Sequence, residues 1–423
     1  MSKQNPSHNA LFDFLNQGKT PWHAVLMIEQ DLHAHGFQSL ALEETFQLKQ
    51  KTSYFIKKDG TLIAFRLPRN NPKTLLFAAA HTDSPTFKLK PKPVFSKNGQ
   101  VFLAIEVYGS PIYSSFLNRD LAIGGIVYYE KKGSIASTLI DLKDFSLIIP
   151  QLAIHLERDV NEKGHTINPE NHLVPLIGQN DGFDLLKHIE QAYGITKILG
   201  HDLFLYPTEK AHSIGFDNDL FASARIDNLG GTFAVLQGFI ESKQGNDALQ
   251  MAIFWNHEEI GSETSAGAAS PLFLEVLDRI QKALTLNEDW IYRLRHTCYG
   301  LSVDQAHATH EGYPDKHDLK HRIELGGGLV IKTNAKKRYA TNGHFDACLK
   351  MLCQKNKIPF QEFSNRNDIP CGSTIGPVLS ANSGFELIDI GCPELSMHSA
   401  REVASLRDHE SMIRLIKAYF SLS

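Results

Sequence analysis

The sequence predicts an α/β fold whose mixed, mostly parallel sheet is flanked by helices and interrupted by an inserted β-rich domain. The run at 74–80 is almost entirely apolar, which is typical of a strand buried on both faces of such a sheet. Similar strand-like runs recur in the second half, at 252–255, 299–303, 328–332 and 387–390. Helical patterns lie between them, and strands that alternate with helices indicate this fold class.

The remaining elements of the α/β part are helices and one hairpin. A Thr-Pro pair at 20–21 predicts the start of a capped helix, because Pro is favoured at the first helical position. A hairpin with an Asp-Gly turn is predicted between 53 and 67. Apolar residues at helical spacing predict two further helices, over 345–352 and 412–419.

The middle of the chain has a different pattern. Its β-rich segments, separated by Gly and polar turns, are 101–108, 123–129, 134–142 and 145–149. One clear helical pattern accompanies them, around 184–193. We therefore predict a discontinuous α/β domain, 1–91 and 221–423, interrupted by a β-rich domain at 92–220, with the Pro-Lys-Pro sequence at 91–93 as a linker.

Composition excludes several classes of function. Lys and Arg total 43 and Asp and Glu total 47, so the net charge of −4 offers no positive field to a nucleic acid. No apolar stretch is long enough for a membrane span, and the N-terminus is too polar for a signal peptide. Five cysteines without CxxC spacing suit a reducing compartment. We therefore expect a cytoplasmic protein, and the twenty histidines favour a metal hypothesis.

Candidate imidazole and carboxylate ligands stand just after the predicted strands or just before a predicted helix. They are His81, Asp227, Glu258 or Glu259, Asp304 and His398. In open α/β sheets, ligands bind beyond the carboxyl ends of the strands, so we expect these side chains to converge on one site.

The types of ligand narrow the choice of metal. Imidazoles and carboxylates without a thiolate suit zinc, cobalt or manganese. Five ligands exceed the three that are usual for one catalytic zinc, but they fit two metals that share a bridging carboxylate. One member of the pair Glu258-Glu259 then ligates, while the other stays free as a general base.

Each candidate also has an ordinary structural explanation. Asp227 is placed where it would cap a helix, and Glu258-Glu259 suits a solvated helix start, where the helix dipole favours carboxylates. Asp304 would equally terminate a strand. The joint placement of all these residues at strand ends, rather than any single residue, argues for a site.

The chain resembles the aspartyl aminopeptidases, which are dinuclear zinc exopeptidases of the cytosol, and the resemblance runs nearly end to end. The motifs that carry it are Ala79-Ala80-His81-Thr82-Asp83-Ser84-Pro85, Ser223-Ala224-Arg225-Ile226-Asp227-Asn228, His257-Glu258-Glu259-Ile260-Gly261-Ser262, Ser302-Val303-Asp304-Gln305-Ala306-His307-Ala308, Cys371-Gly372-Ser373-Thr374-Ile375-Gly376-Pro377 and Ser396-Met397-His398-Ser399.

The resemblance implies a division of the ligands between two zinc ions per subunit, with cobalt or manganese as alternatives. His81 and Asp304 are expected at one ion, and Glu259 and His398 at the other. Asp227 is expected to bridge the two.

Four further residues receive roles from the same resemblance. Glu258 is expected to act as the general base, and Asp83 to orient a ligand imidazole. His155 matches a histidine that reaches a neighbouring subunit's active site and stabilises the oxyanion, with direct metal contact as an alternative. Lys332 matches the lysine that pairs with an acidic substrate side chain.

The resemblance also implies substrates and partners. We expect removal of N-terminal residues, preferably Asp or Glu, from peptides, by a large homo-oligomer, a dodecamer, assembled through the inserted domain at 92–220. A dinuclear deacylase or carboxypeptidase is an alternative that would use the same ligands. A catalytically silent assembly protein is another, but it predicts a missing ligand or base, and every position is filled.

Overall fold

The computed structural model describes residues 6–179 and 182–422. The elements before the inserted segment are α1 (Pro6–Gln17), α2 (Pro21–Ala34), β1 (Gln38–Ser39), β2 (Ser53–Lys58), β3 (Thr61–Arg66) and β4 (Thr74–His81). Those of the middle segment are β5 (Thr86–Lys97), β6 (Gln100–Tyr108), α3 (Tyr113–Phe116), β7 (Leu121–Lys131), β8 (Ser134–Leu147), α4 (Val160–Lys163), β9 (Leu176–Gly178), α5 (Leu185–Tyr193) and β10 (Ile198–Pro207).

The last part of the chain returns to alternating strands and helices. Its elements are β11 (His212–Ile214), β12 (Leu220–Ser223), α6 (Ile226–Glu241), β13 (Ala248–Trp255), α7 (Leu272–Ala283), α8 (Trp290–Thr297), β14 (Tyr299–Val303), β15 (Ala306–His307), β16 (Leu329–Thr333), α9 (Gly343–Lys355), β17 (Phe360–Ser364), α10 (Ile375–Ser383), β18 (Glu386–Gly391), β19 (Pro393–Leu395), β20 (Glu402–Ser405) and α11 (Leu406–Phe420). The helices predicted near 20, 345 and 412 and the hairpin of β2 and β3 are confirmed.

A nine-stranded mixed sheet is the framework of the α/β part. Its strand order is β1-β2-β3-β13-β4-β14-β18-β16-β17. The four central strands β13, β4, β14 and β18 are parallel, whereas β3 and β16 run antiparallel to them on either side. The predicted fold class is confirmed. Because parallel strands end at the same edge, the side chains that follow β4, β13 and β14 lie close together.

Strand β4 is buried on both faces, as its apolar run predicts. Ala78 and Ala80 belong to one apolar core, shared with α1, α2, α6, α9 and α11. Phe77 and Ala79 belong to a second core, shared with α7, α8 and α10. Successive strand residues point to opposite faces, so helices on both sides of the sheet require an uninterrupted apolar sequence.

A six-stranded antiparallel sheet, ordered β8-β7-β10-β5-β6-β9, is built from the middle of the chain. Its strands lie between Thr86 and Pro207, so they begin before the predicted boundary at 92 and end before 220. The segment predicted at 134–142 and most of that predicted at 145–149 belong to the single strand β8, which ends at Leu147. That this part is a separate dimerisation domain stays a prediction.

The prediction of a linker at 91–93 is wrong, because these residues lie inside β5. Their two prolines fall where the pairing of β5 with β6 shifts register, between Leu89 and Val94. Proline has no N–H to donate, and an irregularity in the ladder tolerates that loss.

A smaller five-stranded sheet, ordered β11-β12-β20-β19-β15, adjoins the α/β part. Strand β11 pairs with β12, and β12 pairs with β20 from the C-terminal region, so residues 212–220 group with the α/β part rather than with the inserted sheet. Among the helices described in 6–179 and 182–422, none is both long and apolar enough to cross a membrane.

Candidate metal centre

Three neighbouring strands bring predicted site residues to the carboxyl edge of the large sheet. His81 is the last residue of β4, and Trp255, the last residue of β13, is its ladder partner. Beyond β13 the chain enters a short 3-10 turn, Glu258–Ile260, which carries both candidate glutamates. Asp304 directly follows β14. Strand pairing alone therefore places these side chains at one edge.

The Asp227 carboxylate lies at the centre of the group, at the start of α6. Its Oδ1 is 3.4 Å from His81 Nε2, and its Oδ2 is 3.3 Å from His398 Nε2. The side chain is buried, and Oδ1 has no hydrogen-bond partner within the described chain. Each oxygen of one carboxylate thus faces a different imidazole.

Each imidazole has a second carboxylate beside it. His81 Nε2 is 3.4 Å from Asp304 Oδ1, and His398 Nε2 is 3.5 Å from Glu259 Oε2. The other ring nitrogen of each histidine faces a backbone carbonyl, since His81 Nδ1 is 3.1 Å from the Asp83 oxygen and His398 Nδ1 is 3.1 Å from that of Ser110. Such a contact orients the ring and leaves Nε2 directed at the carboxylates.

Asp83 connects this group to the turn that carries the glutamates. Its Oδ1 lies 3.4 Å from His81 Nδ1 and accepts a hydrogen bond of 3.1 Å from the Glu258 amide. Its Oδ2 accepts bonds from the Glu259 amide at 3.1 Å and from the Tyr108 hydroxyl at 2.8 Å. Asp83 therefore lies between His81 and the turn of the two glutamates; that it orients a ligand imidazole stays a prediction.

The donor atoms fit a zinc ion. Two donors bound to one tetrahedral zinc at 2.0–2.1 Å lie about 3.3 Å apart, close to the nitrogen-to-oxygen distances of 3.3–3.5 Å found here. His81, Asp227 and Glu259 each offer an atom within 4.8 Å of the other two. This cluster combines His81 with a glutamate that the resemblance assigns to the other ion. Glu259 Oε1 and Asp227 Oδ1 are both buried without a hydrogen-bond partner in the described chain.

The electrostatics also suit a cation. Burial raises the pKa of Glu258 to about 8, with His81 opposing this shift and Asp304 adding to it. Burial and the Asp227 charge raise the pKa of Glu259 well above its usual range. Burial acts in the same direction on Asp227, but the neighbouring His398 and His81 imidazoles hold its pKa below the usual range. Buried carboxylates that repel one another are stabilised by a positive ion among them.

A cavity of about 550 Å³ opens onto this group, and Lys332 lines it together with Glu258 and His398. Lys332 is only 2% exposed. Its Nζ donates a hydrogen bond of 2.8 Å to the Gln305 carbonyl and lies 5.2 Å from the centre of the Tyr339 ring. The sequence-predicted lysine therefore stands in the wall of the same cavity.

His155 is not brought to the cavity within one chain. It lies in an exposed turn, where the Leu156 amide bonds to the Ala153 carbonyl and the Glu157 amide to the Ile154 carbonyl. The residues that line the cavity do not include it.

Sequence reasoning missed Glu402, a buried carboxylate beneath the centre. Its Oε2 accepts hydrogen bonds from the Ile226 and Asp227 amides at 2.6 and 3.2 Å, and its Oε1 accepts one of 2.9 Å from the His398 amide. Burial and the charge of Asp227 raise its pKa to about 8. Its place four residues after His398 could have drawn attention to Glu402, but nothing in the sequence connects this residue with Asp227.

Comparisons with known proteins agree with this geometry. The profile of the family described as aminopeptidase I zinc metalloprotease (M18) matches residues 14–420. A protein of Borreliella burgdorferi, named probable M18 family aminopeptidase 2, is 39% identical over 411 residues, 96% of each chain.

Two solved structures share the fold. A chain of the cryo-EM structure of the Ape4 and Nbr1 complex is 33% identical with a TM-score of 0.93, over 98% of this chain and 85% of that one. A chain of the S. cerevisiae mApe1 dodecamer is 24% identical with a TM-score of 0.86, over 98% of this chain and 96% of that one.

The match to the family spans almost the whole chain, and it selects among the functions that the sequence left open. The family is described as one of aminopeptidases, which disfavours the alternatives of a deacylase, a carboxypeptidase and a catalytically silent assembly protein. The chain therefore belongs to the M18 family of zinc metalloproteases and is a metal-dependent aminopeptidase.

Proposed function

We propose that the chain is a dinuclear zinc aminopeptidase that removes N-terminal Asp or Glu from peptides, with Glu258 as the general base. The observation that carries this proposal is the Asp227 carboxylate, whose two oxygens lie 3.4 and 3.3 Å from two different imidazoles. A carboxylate in that position is suited to bridge two ions, as in two-metal hydrolases.

The proposed ligand sets follow from the contacts on either side of Asp227. One ion would be held by His81 and Asp304, and the other by His398 and Glu259. Cobalt or manganese would suit the same oxygen and nitrogen donors. When bound, such ions supply Lewis acidity that polarises an amide and makes a water molecule more acidic.

Glu258 is the proposed base because it lies beside the ligands without being among the closest contacts. Its Oε2 is 3.9 Å from His81 Nε2, and the side chain lines the cavity. A carboxylate there would take a proton from the attacking water and deliver it to the leaving amine. Hydrogen bonds from the Glu258 and Glu259 amides to Asp83 fix the backbone of this turn.

Lys332 supports a preference for acidic residues. An ammonium carries three donors, and the Gln305 carbonyl accepts one bond from Lys332 Nζ. A carboxylate side chain of the substrate, placed in the cavity, would accept a charge-assisted bond from this nearly dehydrated cation. An amide or apolar side chain would not compensate the charge.

We further propose that His155 acts from a neighbouring subunit of a homo-oligomer, a dodecamer, where it would stabilise the oxyanion. The turn that carries it exposes Leu152, Ile154 and Leu156, which are 50%, 46% and 74% exposed, and such apolar side chains favour an interface between copies. The mApe1 dodecamer provides a precedent for the assembly. All five cysteines are free, in keeping with the cytoplasmic location that we propose.

The test is a panel of Asp-X, Glu-X, Ala-X and Leu-X peptides, each with a free and with an acetylated N-terminus, together with measurement of bound zinc. We expect about two zinc ions per chain and turnover only of peptides with a free amine, fastest for Asp-X and Glu-X. Equal turnover of acetylated peptides would contradict the exopeptidase function.

The specificity arm of this test uses Lys332→Met, which keeps the length of the side chain and removes its charge. Loss of a charge-assisted bond costs about 1.5–3 kcal/mol, so kcat/KM for Asp-X should fall about 10- to 150-fold while that for Leu-X changes little. An equal loss for both peptides would show that Lys332 does not select the substrate.

A further inference from the structure

The last residue of β6, Tyr108, and the two residues that follow it, Gly109 and Ser110, touch three different parts of the candidate metal centre. Strand β6 belongs to the six-stranded inserted sheet, whereas the centre is formed by the α/β part. These residues are referred to below as the β6 tip. The contacts of the β6 tip connect the inserted sheet with the metal centre of the α/β part.

Tyr108 reaches the His81 side of the centre. Its hydroxyl donates a 2.8 Å hydrogen bond to Asp83 Oδ2, and the same carboxylate contacts His81 and accepts bonds from the Glu258 and Glu259 amides. The ring is fixed by an edge contact with Phe204 of β10, with centroids 5.3 Å apart. The Tyr108 hydroxyl therefore binds the carboxylate that contacts both His81 and the turn of the two glutamates.

Gly109 lies against the same turn. Its φ is +71°, and a Cβ at this position would stand 3.1 Å from Glu259 Cβ and 3.4 Å from the Glu259 carbonyl oxygen. Backbone approaches this closely only where no side chain intervenes. The β6 tip is thus packed directly on the segment that carries Glu259.

Ser110 reaches the His398 side. Its carbonyl oxygen is 3.1 Å from His398 Nδ1, and the Ile112 amide donates a 2.9 Å bond to the His398 carbonyl. Two residues further along the histidine loop, the Ala400 amide donates a 2.8 Å bond to Ser115 Oγ. The inserted segment therefore holds both the ring and the backbone of this histidine.

We propose that the β6 tip is a positioning element through which the inserted sheet sets the geometry of the metal centre in its own subunit, and that Tyr108 is its principal positioning residue. The inference rests on the proposed function, because it takes His81 and His398 as metal ligands. It adds a task for the inserted sheet within one subunit, in addition to any contact between subunits. Tyr108 acts through Asp83 and touches no reacting atom.

The test compares Tyr108→Phe with Tyr206→Phe in the full chain. Tyr206 is a matched control, because its hydroxyl also donates to a carboxylate, at 2.5 Å to Asp141 Oδ1, but both partners belong to the six-stranded sheet. Zinc affinity is measured by competition with a chromogenic chelator. Hydrogen exchange of the peptide covering 256–262 is measured in the metal-free protein.

For Tyr108→Phe we expect zinc affinity to fall about 10- to 100-fold, as is typical when a partner of a metal-ligating group is removed. Exchange of the Glu258 and Glu259 amides should accelerate, because Asp83 loses a contact that fixes it. The kcat should fall while KM changes little, since Tyr108 does not touch the substrate. Tyr206→Phe should retain wild-type values in all three measurements.

Wild-type zinc affinity and amide exchange in Tyr108→Phe would overturn the inference, and so would equal losses in Tyr206→Phe, which would indicate a general effect on the sheet. If Tyr108→Phe does not fold, Ser115→Ala is measured instead, because it removes the hydroxyl that accepts the hydrogen bond from the Ala400 amide. Its zinc affinity should also fall, and a wild-type affinity would overturn the inference. A wild-type chain that binds no zinc would instead contradict the proposed function, so the two failures are distinguishable.

Discussion

The two histidine sides of the candidate centre are built in different ways. His81 ends a central strand, is 1% exposed and takes its position from ladder pairing with β13. His398 lies on a loop before β20 with a φ of +68°, and its side chain is 27% exposed. Its orientation depends on the Ser110 carbonyl and the Glu402 carboxylate, which come from other parts of the fold.

One site can therefore combine a rigid side, held by a strand of the sheet, with a side assembled from contacts to a loop. The His81 side is fixed by the same backbone hydrogen bonds that make the sheet. The His398 side is fixed by a few contacts across a loop, and such regions open locally at lower free energy than core strands. We therefore expect the His398 side to exchange metal more readily.

The largest effect on activity is expected for Glu258, the proposed general base, which belongs to neither proposed set of ligands. In Glu258→Gln, kcat should fall about 10²- to 10⁴-fold while zinc content stays at the wild-type level, because the base is lost and the ligands remain. Steady-state kinetics and metal analysis measure this, with Glu263→Gln on the adjacent exposed loop as the control. Zinc loss in Glu258→Gln would mean that Glu258 is a ligand, and surviving turnover would mean that it is not the base.

The difference between the two histidines is tested by replacing each with Ala. We expect His398→Ala to retain about one zinc ion per chain, bound at the buried His81 side. His81→Ala should retain less zinc, because loss of this imidazole leaves buried carboxylates at the edge of the sheet without a partner. Stepwise chelation of the wild-type chain should release zinc in two phases, the faster one absent from His398→Ala. Equal retention by both variants would remove the distinction between the sides.

The smallest expected effect concerns the carboxylate that supports the assembled side. In Glu402→Gln, an amide nitrogen replaces one oxygen that accepts from backbone amides, so a buried N–H loses its partner at a cost of about 1–3 kcal/mol. Thermal unfolding should show a lower midpoint, and the faster phase of zinc release should become faster still. The exposed Glu288→Gln serves as the control, and an unchanged midpoint would contradict this role of Glu402.

Much of the fold could be predicted because local patterns determine it. The run at 74–80 reads as a strand covered on both faces, and β4 lies between two apolar cores. The limits of the inserted sheet were less predictable, since prolines at 91–93 suggest a linker when only local propensity is considered. Pairing with β6 across a register shift accommodates them, and pairing is a non-local property.

For the site, His81, the Glu258-Glu259 pair and Asp304 are positioned by the strands that precede them, and a parallel sheet brings strand ends together. Tyr108 and Glu402 carry no comparable signal. A tyrosine at the end of a β-rich segment and a glutamate before a helix are ordinary residues until the chain folds. Their relation to Asp83 and Asp227 exists only in three dimensions.

The sequence by itself determined the fold class, the candidate donor atoms and the family resemblance, because side-chain periodicity and strand-end placement follow from backbone geometry. The tertiary structure decided which donors face each other across Asp227, that Lys332 enters the same cavity, and that His155 lies outside it in one chain. It also decided that the inserted sheet reaches back to the centre through Tyr108 and Ser110. Contacts between residues far apart in the chain depend on packing, which no local pattern specifies.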